Sequence, residues 1–80
     1  MSSSDTAVLP LAMAPIHVPL RIVTIRGGAA LIARLTDMGL NIGSEVRVVQ
    51  HSGAGLVVAR GETRFALGGG MAHKVLVTVL

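Results

Sequence analysis

The hydrophobic pattern changes period twice along this chain. Leu20-Arg21-Ile22-Val23-Thr24-Ile25 is a β-branched run and predicts a strand. From Ala29 to Met38 the period becomes helical: Leu31, Leu35 and Met38 recur on one face, while Arg34 and Asp37 fall on the other. That helix is about ten residues long, so packing rather than propensity must hold it. Beyond Gly43 the period drops to two, with Val46 and Val48 alternating with Arg47 and Val49. Leu56 to Arg60 returns, Gly61-Glu62-Thr63 turns, Arg64 to Leu67 runs out, and Val75, Val77 and Val79 alternate in a final strand. His51-Ser52-Gly53-Ala54-Gly55 is expected to be a flexible hairpin loop, and Gly68 to His73 a tight connection holding at most a short 3₁₀ turn. The pattern predicts a mainly β fold: about five short strands in a small, strongly bent barrel, with one short helix after the first strand. Closure of the barrel removes exposed strand edges.

The most specific segment is Arg34-Leu35-Thr36-Asp37-Met38-Gly39-Leu40-Asn41-Ile42-Gly43. Gly39 suits the left-handed residue that ends a helix, because it has no Cβ to clash at positive φ. Leu35 and Leu40 then stand where such an ending places its hydrophobic contact. Asn41-Ile42-Gly43-Ser44 fits a type II turn, with Gly43 at the position that needs positive φ. Leu35, Met38, Gly39 and Gly43 are therefore the residues of a structural corner.

Eighty residues allow one small domain with a thin core. An apolar content of 51% and a mean hydropathy of +0.72 compensate for that thinness. No apolar run reaches the ~18 residues that span a bilayer, so direct membrane insertion is not expected. Ala7 to Leu20 is too short and is interrupted by Pro10, Pro15 and Pro19. The start of the chain lacks the positive region of a secretory signal. Residues 1–8 read as a disordered tail and 9–80 as the domain, with the proline-broken stretch laid across it. Cysteine is absent, which excludes disulfides and thiolate metal sites. The net charge is +3, but the seven Lys and Arg residues form no run. Charge therefore permits nucleic-acid binding without arguing for it. No Trp or Tyr is present to stack bases, and Phe65 is the sole aromatic.

The ordered set Leu20–Ile25, Gly27-Gly28, Arg34-Leu35, Gly39-Leu40, Gly43-Ser44-Glu45-Val46, Gly61, Ala66-Leu67, Ala72 and Val75-Leu76-Val77 resembles the FeoA family, small bacterial cytoplasmic proteins associated with ferrous-iron uptake. The resemblance covers about Leu9 to Leu80. Two departures are visible: Ile42 stands where the family often has proline, and His17-Val18-Pro19 replaces an early glycine turn. The resemblance implies an SH3-like barrel and a non-enzymatic, cytoplasmic adaptor. Its implied partner is the cytoplasmic GTPase region of an FeoB-type membrane transporter, which it would bind and modulate. The alternative is a basic barrel that binds nucleic acid or serves as a regulatory module of a metal-dependent repressor.

No catalytic constellation is present. Asp5, Asp37, Glu45 and Glu62 are the only acids and none is spaced for paired acid and base work. Gly68-Gly69-Gly70 with Lys74 lacks the Gly-Lys-Ser/Thr order of a phosphate loop. No cofactor is required. His51 and His73, both expected in loops, are the candidate ligands for zinc or another divalent transition metal, at an interchain or adventitious site. If the barrel is filled by Val46, Val48, Phe65, Leu67, Val75 and Val77, some remaining apolar residues face away from it. Leu40, Val49, Leu56 and Leu76 are the candidate partner-binding residues, and a homodimer is compatible with so apolar a chain.

Overall fold

The structure, a computed structural model, describes residues 7–80. Most of the expected tail lies outside the described residues. Among the described residues there are six strands: β1 (Leu9–Pro10), β2 (Leu20–Ile25), β3 (Glu45–Ser52), β4 (Gly55–Arg60), β5 (Thr63–Gly68) and β6 (Val75–Val79). They form one antiparallel sheet in the order β1-β6-β2-β3-β4-β5. Two helices, α1 (Ala29–Asp37) and α2 (Gly69–Lys74), complete the fold with a 3₁₀ turn over Leu11–Met13.

The proline-broken segment is laid across the domain. Leu9 and Pro10 pair with β6, and Ile16 bridges to Val48. The His17 amide donates to the Val48 carbonyl at 2.7 Å. His17 itself adopts φ +66°, a left-handed conformation that glycine takes without strain.

The core is continuous from Leu11 and Ala14 through Leu20, Ile22, Val46, Val48, Leu56, Val58 and Leu67 to Val75 and Val77. Alternation explains it: Val46 and Val48 are buried while Glu45 and Arg47 between them are exposed. Phe65 is half-buried at its edge.

Three expectations need correction. The sheet does not close by hydrogen bonds, because β1 is only two residues long and no ladder joins it to β5. Helix α2 fills that gap instead, packing on the 3₁₀ turn, β1, β4, β5 and β6. The stretch from His51 to Gly55 is not a loose loop: β3 runs to Ser52, β4 starts at Gly55, and only Gly53 and Ala54 turn. Finally, Gly69 to Lys74 is a helix although glycine is a poor helix former. A Cβ on Gly69 would collide with the Ala54 carbonyl oxygen, and one on Gly55 with the Leu67 carbonyl oxygen. The first approach packs the helix backbone on the β3–β4 turn and holds α2 where propensity does not; the second lies between β4 and β5.

Candidate partner-binding surface

Helix α1 ends as its glycine requires. The Leu40 amide donates to the Leu35 carbonyl at 2.8 Å and the Gly39 amide to the Thr36 carbonyl at 2.9 Å. Gly39 has φ +80°, so this is a Schellman ending, with Leu35 and Leu40 both in the core. The next turn closes through the Ser44 amide and the Asn41 carbonyl at 2.9 Å, with Gly43 at φ +94°. Ser44 braces it: the Ser44 hydroxyl accepts from the Asn41 amide at 3.1 Å and donates to the Gly39 carbonyl at 3.2 Å. The corner is then tied to β2, where the Gly43 amide donates to the Ile22 carbonyl at 2.7 Å and the Ile22 amide to the Ser44 carbonyl at 3.0 Å.

This braced corner presents apolar surface. Ile32 on α1 is 41% exposed and Ile42 at the tip of the turn is 65% exposed. With Ile25, Thr36 and Asn41 they line a groove of about 290 Å³ between helix and turn. A partner covering both would gain at most roughly 1.5–3 kcal/mol for each side chain, and less for Ile32, whose surface is already more than half buried. Three isoleucines framed by a threonine and an asparagine make an apolar centre with a polar margin, the composition of a protein contact.

The residues expected to meet a partner are placed differently. Leu40 and Leu56 are 2% and 3% exposed and have no surface to offer. Leu40 is buried because the Schellman contact turns it under the helix, and Leu56 because it lies on the inner face of β4 with Val58. Val49 and Leu76 are half-buried and stand outside the isoleucine groove. Sequence reasoning missed Ile32 and Ile42. The usable signals were an isoleucine outside the Leu31, Leu35, Met38 stripe and a β-branched apolar residue in a turn.

At the opposite end, His51 and His73 line one cleft of about 190 Å³ between the β3–β4 hairpin and α2. Neither is in a loop: His51 is on β3 and His73 on α2. Among the described residues no group of three or more His, Cys, Asp or Glu side chains is gathered in metal-binding geometry. No described helix is long and apolar enough to cross a membrane.

Comparison with known proteins agrees with this architecture. The FeoA domain matches over residues 9–79. A curated relative from Methanocaldococcus jannaschii, provisionally named Fe(2+) transport protein A, is 31% identical over 68 residues, spanning 85% of this chain and 83% of the relative. A crystal structure of an iron uptake regulatory protein, FeoA, superposes with a TM-score of 0.85 at 32% identity, covering 92% of this chain and all of that one. The metal-dependent likeness is of fold alone: ScaR with bound Zn2+ gives a TM-score of 0.82 at 15% identity, over 95% of this chain and 38% of ScaR. With a matching domain over nearly its whole length and the helix–corner–meander order in place, this chain belongs to the FeoA family of ferrous-iron transport proteins and has its SH3-like fold.

Proposed function

We propose that this chain is a non-enzymatic adaptor of ferrous-iron uptake that acts in the cytoplasm, binding the cytoplasmic GTPase region of an FeoB-type membrane transporter and modulating it. The observation that carries this reading is the groove of Ile25, Ile32 and Ile42 on the hydrogen-bonded corner. A rigid apolar surface binds with little ordering cost. Modulation then requires only that the groove fit one conformation of the partner better than another. The family's link to Fe(2+) transport supports a transporter as that partner. An apolar contact also agrees with the scattered arginines and with the lack of any aromatic stacking platform, both of which disfavour nucleic acid.

The test is co-purification of the transporter's GTPase region with a tagged copy of this chain. Wild type should capture it, and capture should change little between low and moderate salt, since no counterion release is involved. Ile32→Asp and Ile42→Asp should each abolish capture while changing unfolding stability by no more than about 0.5 kcal/mol, as expected of exposed positions. Met13→Asp, at a 67% exposed position remote from the groove lining, is the control and should capture normally. Normal capture by both isoleucine variants would falsify the assignment of this surface.

A further inference from the structure

We propose that the cleft between the β3–β4 hairpin and helix α2 binds one divalent first-row transition metal ion per chain through the imidazoles of His51 and His73. The inference is independent of the transporter reading and begins with a register shift. The β3–β4 ladder pairs Val48 with Val58 but Gln50 with Val57, leaving Val49 as an extra residue. Without that bulge, His51 would continue the outward series of Glu45, Arg47 and Val49. The extra residue inverts the alternation beyond it, since a bulge re-aims the side chains that follow. His51 therefore stands opposite Leu56, on the face that Leu56 turns to the core.

That face is the one α2 covers. Ala72 is the fully buried residue of that helix, and its neighbour His73 is exposed. The two walls are locked together where Gly69 of α2 meets the Ala54 carbonyl of the hairpin turn, an approach that admits no Cβ. Besides the two histidines the cleft is lined by Gly53, Ala54, Gly55 and Gly69 and by the apolar Ala12, Leu56 and Ala72, with no Lys or Arg among them to repel a cation. Among the described residues, no side-chain hydrogen bond engages either imidazole. A volume of about 190 Å³ holds a cation with several waters.

Two imidazoles and no carboxylate or thiolate select the class of ion. Nitrogen ligands suit zinc, nickel, copper and cobalt, and the ordinary affinity order places iron(II) below all of them. Two protein ligands leave the remaining positions to water, so the site is open.

The experiment uses untagged full-length protein titrated with Zn2+ and with Ni2+ by calorimetry. The expected result is one ion per chain for wild type. His51→Ala and His73→Ala should each weaken binding roughly tenfold or more, a scale reached even by loss of outer-shell partners, and the double variant should be little worse than either. His17→Asn, which removes the remaining imidazole from a residue outside the cleft, should bind as wild type. Both tested histidines are exposed, so unfolding midpoints should be unchanged and confirm that the variants are folded. Wild-type affinity in either alanine variant overturns the proposal. So does a stoichiometry of one ion per two chains with dimer formation, which would place the ligands on different copies.

Discussion

The two helices of this domain are held in opposite ways. Helix α1 has a legible periodic face, ends in a Schellman motif and is followed at once by a turn whose hydrogen bonds stay within residues 35–44 and β2. Yet only Leu35 of its nine residues is buried, and Ala29, Ala30, Ile32 and Ala33 remain exposed. Helix α2 has six residues, two of them glycine, no capping side chain and no periodic signal. It packs on strands and turns from both ends of the chain. The first is locally determined and presents surface outward. The second is determined by its neighbours and serves as the plug of an unclosed sheet. Local hydrogen bonding frees a helix from the need to be covered, and that freedom leaves the isoleucine groove open for a partner.

Substitutions can break this contrast, and the largest effect belongs to the only buried anchor of α1. Leu35→Ala should cost about 2–5 kcal/mol in urea unfolding, through lost burial plus the cavity left behind. A loss under about 1 kcal/mol would mean that the corner's hydrogen bonds, not Leu35, hold the helix. Next comes Gly69→Ala, which sets a Cβ against the backbone of Ala54 rather than against a movable side chain. An overpacking cost of about 1–3 kcal/mol is expected. Since the α2 position depends on that approach, the same variant should also weaken the metal binding proposed for His51 and His73.

Gly39→Val tests the other end. Its Cβ meets only the Arg60 guanidinium at 3.4 Å, so the cost is conformational: a β-branched residue forced to φ +80°, about 1–3 kcal/mol. An unchanged melting temperature would remove the left-handed corner as the source of the groove's rigidity. The smallest expected effect is a gain. Ile42→Pro places the residue favoured at this turn position and should stabilise the fold by about 0.4–1 kcal/mol. It also trims the most exposed isoleucine, so partner capture should fall while stability rises, a separation that a purely structural role for Ile42 does not produce.

The parts legible in the sequence were those whose cause is local. Leu31, Leu35 and Met38 fix the helical face; Gly39 and Gly43 fix a corner, because only a residue without Cβ takes those φ values freely; Val46 with Val48 and Val75 with Val77 fix strand faces. Those facts also carry the family. Leu40 shows where local reasoning stops, for the same motif that identifies it also folds it into the core, which excludes it from any contact surface. Leu56 fails for a related cause, since alternation says which residues share a face but not which face is inward.

The chain by itself determined one helix, a glycine corner and the strand alternation, because each depends on residues within a turn or two of one another. Tertiary structure alone decided that two glycines begin a helix, that the sheet is sealed by packing rather than by a ladder, and that a bulge at Val49 sets His51 opposite Leu56. Those outcomes arise from close approaches between segments far apart in sequence, where the partner's shape, not the local residue's preference, sets the lowest free energy.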